Sequence, residues 1–260
     1  MKRVIVWVML IIMTGAVFAG CGSADTKAPA KKKIVIGLDD SFPPMGFRDD
    51  KNNIVGFDID MAREAVKRLN MDVEFKPIDW SSKEAELNGK RIDALWNGMN
   101  ITEERKKNVL FSDPYMESKQ LIFVLAGSPI KSAEDLAGKV VGVQQASIGE
   151  EVVMKDAKLK ASLKDFKKYP DCIAAFMDLK TGRVDAVVTD EILGRYYMSK
   201  ETGKYIAIEK PLGDVGTYGV GFRKEDKELR DKVQTALNEM KKDGTSAKIS
   251  KQWFGSDIVK

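Results

Sequence analysis

Apolar and polar positions along the chain follow two alternating rhythms. Ile34 to Leu38 is a short apolar run with β-branched members, which predicts a strand. From Phe57 to Leu69 the apolar residues Ile59, Ala62, Val66 and Leu69 recur at helical spacing. Val73 to Phe75 reads as a second strand, Lys83 to Leu87 as helical, and Ile92 to Trp96 as a third strand. Arg48 to Gly56, polar and turn-rich, joins the first strand to the first helix. Strands alternating with helices predict an α/β fold with a mostly parallel sheet covered on both faces.

A second unit with the same rhythm begins near Leu121. Leu121 to Leu125, Val140 to Gln144 and Val184 to Thr189 read as buried strands, and Gly149 to Met154 as the opening of a helix. Tyr218 to Phe222 is a further strand. Lys227 to Lys241 follows as a long amphipathic helix with Leu229, Val233, Leu237 and Met240 inward, and Trp253 and Phe254 pack near the end. There is no internal repeat.

The first residues have a different task. Lys2 and Arg3 precede an apolar run from Val4 to Phe18, and then come the small residues Ala19 and Gly20 before Cys21. That is the make-up of a secretory leader over residues 1–20. The run falls short of the roughly 20 apolar residues of a spanning helix, with an uncleaved signal-anchor as the alternative. Gly22 to Lys33 is small, polar and Pro-containing, and reads as a flexible tether.

Composition narrows the chemistry. Of 260 residues 43% are hydrophobic and 32% charged, with a net charge of +4 that falls to +2 once Lys2 and Arg3 leave with the leader. Such a balance gives no reason to expect nucleic acid. The chain has no histidine, which excludes a His-ligated metal and a triad with His as base. Asp49 and Asp50 match no calcium loop, and neither a metal nor a cofactor is expected. If Cys21 is modified, Cys172 is left as the second of two cysteines, and it reads as a buried small residue.

The most informative segment is Arg91 to Tyr115. Thr102 is placed to cap a short helix, with Glu103 and Glu104 in its first turn. Arg105 shares that turn, where the helix dipole disfavours a cation. Either it clamps an anionic group with its fork of N–H donors, or it is a surface residue paired with Glu104 or Asp113.

Ile92, Asp93, Ala94, Met99, Ile101, Thr102, Arg105, Phe111, Ser112, Pro114 and Tyr115 resemble, at their spacing, the signature of the polar amino-acid solute-binding proteins of ABC importers (extracellular solute-binding family 3). The likeness extends from about Lys33 to the C-terminus. It implies a two-lobed periplasmic-binding-protein type II fold. The first lobe would comprise residues 34–118 and 215–260 and the second residues 119–214, with crossings near 117–120 and 213–216. Phe18-Ala19-Gly20-Cys21 is similar to a bacterial lipobox, with Phe18 in place of the usual Leu. This implies that Cys21 becomes the acylated first residue of an extracytoplasmic, membrane-anchored protein tethered by residues 21–33.

The resemblance also implies a site. Asp39 and Phe42 would face the ligand from the loop after the first strand, the readings from the residues alone being a turn cap and core packing. Trp80 would form the opposing aromatic wall, though a Trp before a helix also suits a core. Asn97, Gly98, Met99 and Asn100 would offer backbone groups, and Arg105 the counter-charge for a carboxylate. Ser147 and Ile148 open a helix whose N–H groups can take a carboxylate, with Ile148 lacking the hydroxyl common in relatives. Asp190, at the end of Gly182-Arg183-Val184-Asp185-Ala186, Val187-Val188-Thr189-Asp190, would pair with an α-ammonium, or cap the next helix. The implied ligand is an L-amino acid such as arginine, lysine or glutamine, with cystine and other polar amino acids open; Gln144 and Gln145 add neutral polar groups. The expected partner is an ABC permease and the expected state a monomer without turnover. The alternatives are an enzyme of the cyclohexadienyl dehydratase kind on the same fold, or a sensor uncoupled from transport.

Overall fold

The apolar run after the tether becomes the strand Lys33–Leu38. In the computed structural model, which describes residues 31–260, it belongs to a five-stranded sheet. The order is Asp72–Pro77, Lys33–Leu38, Ala94–Leu95, Gly221–Phe222, Leu110–Phe111. The expected leader, Cys21 and the tether as far as residue 30 lie outside the described residues. Two pairings of this sheet are parallel, and the two made by Gly221–Phe222 are antiparallel.

A second five-stranded sheet repeats the plan, in the order Asp165–Tyr169, Val140–Gln144, Ala186–Asp190, Gln120–Leu125, Tyr205–Ile208. Its first two pairings are parallel and the two made by Gln120–Leu125 antiparallel. The antiparallel members lie where the chain passes between sheets. A two-stranded ribbon, Met116–Ser118 with Gly216–Tyr218, makes that passage. The result is a two-lobed α/β fold.

Burial on both faces explains why the strands read as continuous apolar runs. Along Gln120–Leu125 side chains alternate sides with the period of two of a pleated strand. Ile122 and Val124 join Val141, Val143, Val153 and Val188 in one cluster, while Leu121 and Phe123 join Phe176, Leu179, Val187 and Leu193 in another. On the first sheet, Ile34 and Ile36 pack with Phe57, Met61 and Val66 of the helix Phe57–Arg68, and with Val233, Leu237 and Met240 of the helix Lys227–Lys242. Its other face holds Trp80, Leu87, Ile92, Leu95 and Val109.

Two predicted strands are shorter or broken. Within Ile92 to Trp96 only Ala94 and Leu95 pair, against Ile36 and Gly37. Tyr218 to Phe222 divides at Gly219, because Tyr218 pairs in the ribbon while Gly221 and Phe222 enter the first sheet. Asp165–Tyr169 escaped the hydrophobic pattern. It is an edge strand whose sequence, DFKKY, carries lysines suited to an edge.

The helix Ile148–Lys155 lies tight against the strand Ala186–Asp190. A Cβ on Gly149 would stand 2.5 Å from the Val188 carbonyl oxygen, and backbone cannot give way as a side chain can. Gly149→Ala is expected to cost about 1–3 kcal/mol, read by calorimetry as a fall in melting midpoint. An unchanged midpoint would mean that this helix is free to shift.

Candidate functional site

The carboxyl ends of both sheets' parallel strands converge on one cavity, the position where open α/β sheets bind ligands. Asp39 follows Leu38 directly, Gln144 ends the strand Val140–Gln144, and Asp190 ends Ala186–Asp190. Asp39, Phe42, Trp80, Asn97, Gly98, Asn100, Arg105, Ser147, Ile148 and Asp190 all line it. Met99 does not. Its side chain is buried with Trp80 and Leu95, and its carbonyl accepts the Gly219 N–H at 2.9 Å. Alternation along the loop turns Met99 inward while its neighbours face the cavity.

Arg105 is 5% exposed, which rules out the surface reading. Glu104 pairs with Lys107 instead, and the Asp113 backbone N–H donates to Gln234 Oε1 at 2.7 Å. The guanidinium donates to the Asn100 carbonyl at 3.2 Å and, across the cleft, to the Ala146 carbonyl at 3.3 Å. Glu151, on the second lobe's helix Ile148–Lys155, is its ion-pair partner at 3.4 Å. Burial lowers the Arg105 pKa. Thr102 caps the helix Glu103–Asn108 as its position implies, its hydroxyl accepting the Arg105 N–H at 3.1 Å.

Asp190 does two things at once. One carboxylate oxygen accepts the Ile192 N–H at 2.9 Å and caps the helix Glu191–Lys200. The other accepts from Ser118 Oγ at 2.8 Å and Gln120 Nε2 at 3.3 Å. Asn100 Nδ2 donates to that same Ser118 hydroxyl at 2.7 Å, so a hydrogen-bonded chain runs from the first lobe's loop through the ribbon to Asp190. Burial raises the Asp190 pKa to about 6.

Asp39 is likewise both cap and wall. It accepts the Ser41 N–H at 2.9 Å and, from the other lobe, Gln144 Nε2 at 2.6 Å. Burial again dominates and raises its pKa to about 6. Asn97, its amide oriented to suit its neighbours, donates to the Asp39 carbonyl at 3.1 Å and accepts the Gly46 N–H at 2.9 Å. Cys172 stands behind this end of the cavity, its thiol 3.6 Å from Gln144 Oε1 and 3.3 Å from Thr189 Oγ1. Burial pushes the thiol up to about 12, so it is a neutral S–H.

Gln120, Gln144 and Thr189 complete the lining. Gln120 pairs in register with Asp190 on the neighbouring strand, a relation that no local pattern carries. Lys83 is a second neighbour that sequence reasoning missed. Its ammonium lies 5.2 Å from the Trp80 ring centroid and donates to the Trp80 carbonyl at 3.3 Å and the Ala146 carbonyl at 3.1 Å. Burial, then Arg105, lowers its pKa to about 8. The i, i+3 spacing from Trp80 was the one available signal.

Ala146 receives both cations in a left-handed conformation, φ +57°. Glu150 holds its N–H at 2.6 Å, and Ser147 caps the helix by accepting the Glu150 N–H at 3.2 Å. Walls from both lobes thus meet closely. The cavity they line is small, about 30 Å³, room for roughly two waters.

Residues 34–256 match the family model of the bacterial extracellular solute-binding proteins, family 3, and the chain belongs to that family. It is 34% identical to the L-cystine-binding protein TcyJ of Escherichia coli K12, over 90% of this chain and 87% of that protein. It is 32% identical to the arginine-binding extracellular protein ArtP of Bacillus subtilis, over 95% of this chain and 97% of that protein. Among solved structures, it superposes on a substrate-binding protein of an ABC uptake transporter from Streptococcus pneumoniae with bound histidine. There the TM-score is 0.84 and the identity 36%, over 87% of this chain and 94% of that one.

Proposed function

We propose that this chain is the extracytoplasmic binding component of an amino-acid ABC importer, taking a polar or cationic L-amino acid between two closing lobes. Arg105 and Asp190 carry the reading. A buried guanidinium from one lobe and a buried carboxylate from the other line a single cavity, a matched pair for an α-carboxylate and an α-ammonium. The helix opening at Ser147 and Ile148 adds backbone N–H groups on the carboxylate side. Asp39, Phe42, Trp80, Asn97, Gly98 and Asn100 would hold the side chain and the remaining polar atoms.

In this reading residues 34–118 and 215–260 form one lobe and 119–214 the other. Ligand contacts made only when both lobes touch it shift the equilibrium to the closed form, which a permease recognises by its altered surface. Residues 1–20 are a leader, and acylated Cys21 anchors the protein through the tether 21–33. Relatives that bind cystine and arginine support the ligand class and leave its side chain to experiment.

A thermal-shift screen of the chain without residues 1–21, against the twenty L-amino acids plus ornithine and cystine, tests this. Ligand at about 100 times its dissociation constant adds roughly 2.7 kcal/mol. Each kcal/mol moves the midpoint of a chain this size by about 2–4 °C. A shift with one or a few amino acids is expected; no shift with any removes the zwitterion reading of Arg105 and Asp190.

A further inference from the structure

Lys83 is buried beside the site, and nothing in the binding scheme uses it. A buried ammonium needs partners to offset its lost hydration. Its hydrogen bonds go to two carbonyls, that of Trp80 at 3.3 Å and that of Ala146 at 3.1 Å. Trp80, whose ring centroid lies 5.2 Å away, belongs to the same lobe and stays with Lys83 in any arrangement of the two. Ala146 belongs to the other lobe. The cavity lining includes Trp80 and Arg105 but not Lys83.

The turn that carries the Ala146 carbonyl is fixed from both sides. Ala146 stands at φ +57°, a region where a side chain is strained. The Gln145 N–H donates to the Tyr169 carbonyl at 2.8 Å, and Glu150 accepts the Ala146 N–H at 2.6 Å. Ser147 Oγ donates to the Gln144 carbonyl at 2.8 Å. The Ala146 carbonyl is thereby held in one direction, and Lys83 and Arg105 of the first lobe both meet it. The charges around the ammonium divide by lobe. Arg105, which repels it, and Glu84 and Asp79, which attract it, share its lobe and act in any arrangement. Glu150 and Glu151, which also attract it, lie on the second lobe's helix Ile148–Lys155 and act fully only when the lobes meet.

Resting on the amino-acid reading above, we propose that Lys83 is a latch between the lobes and not a reader of the ligand. Closure brings its ammonium onto the Ala146 carbonyl and beside Glu150 and Glu151. Opening returns that side of it to water. The latch acts on the closed form itself, so it slows the release of every ligand by the same factor. It sets how long an amino acid stays and leaves the choice among amino acids to the cavity lining.

Uniformity across ligands makes the test. Dissociation rates are measured by stopped flow for each amino acid that the thermal-shift screen returns, and for its α-amide, which lacks the carboxylate charge. Lys83→Met keeps the length of the stem and loses the ammonium. Lys83→Gln keeps a neutral donor and should fall between, and it serves alone should the first fold poorly. In Lys83→Met dissociation is expected to quicken about tenfold, the scale of one hydrogen bond from a charged group. Association should stay within about threefold. The factor should agree within about twofold among ligands, acids and amides alike. A loss confined to the acids would place Lys83 on the ligand's carboxylate and overturn the proposal, and so would an unchanged rate. Dyes on a cysteine introduced in each lobe, with the buried Cys172 left unlabelled, give a readout that needs no ligand. The closed form of the ligand-free chain should be about tenfold shorter-lived in Lys83→Met. Equal lifetimes would overturn the latch as well. If no amino acid binds the wild-type chain, the functional reading fails, and these lifetimes alone decide the role of Lys83.

Discussion

Arg105→Ala is expected to weaken amino-acid binding by roughly two to three orders of magnitude, the scale seen when one partner of a buried charge pair is truncated. The size follows from what the guanidinium does in the closed lobes. It is buried, it donates across the cleft to Ala146, and burial already lowers its pKa. An incoming carboxylate would compensate a charge whose removal from water has already been incurred. The ligand-free fold should hardly notice the change. Alanine releases the carbonyls of Asn100 and Ala146 from a donor, but it also removes a desolvated cation whose ion-pair partner, Glu151, is 30% exposed and can turn to water. Calorimetric titration and scanning of the same sample separate the two effects. Arg105→Lys keeps the charge and loses the planar fork, and should fall between wild type and alanine. Affinity retained within about threefold would remove Arg105 from the ligand and point to Lys83, the other cation on Ala146.

What the chain revealed in advance, and what it withheld, divides along local and non-local lines. The β-branched runs at Ile34 and Val140 announced strands because both faces of each sheet are buried, which leaves no polar alternation to interpret. Thr102 announced a cap through its position alone. Arg105 could be singled out because a cation in the first turn of a helix opposes the dipole, yet its ion-pair partner Glu151 lies 46 residues away and no spacing rule reaches it. Asp190 read as a ligand group through the resemblance, with a helix cap as the alternative, and geometrically it is a cap that also faces the cavity. Lys83 and Gln120 were silent for one shared reason. Each lies in a segment with an ordinary local explanation, and each acquires its role from a partner brought near only by the fold.

The pH dependence of affinity is expected to count the carboxylates that the ligand engages. Asp39 and Asp190 both stand at about 6, above the usual 3.8, and burial is the first cause in each. A ligand cation placed against either one favours its charged form and draws its pKa back down. The bound state therefore holds fewer protons than the free state, and affinity falls as pH drops below about 6. Each engaged carboxylate contributes about one decade in dissociation constant per pH unit. An amino acid with a neutral side chain brings its ammonium to Asp190 and leaves Asp39 with Gln144, giving a slope near one between pH 6 and 5. Arginine or lysine would meet Asp190 with the ammonium and Asp39 with the side chain, and the slope would approach two. Stability without ligand should run the other way. Because the folded pKa values exceed the unfolded ones, the native state holds extra protons between about pH 4 and 6. Stability from these two groups is thus greatest below that window and declines as pH rises through it. Titration calorimetry from pH 7.5 to 5 and melting curves over the same range supply both trends. A dissociation constant that stays flat through pH 6 for every ligand would mean that neither carboxylate meets a cation, leaving Asp190 a helix cap and nothing more.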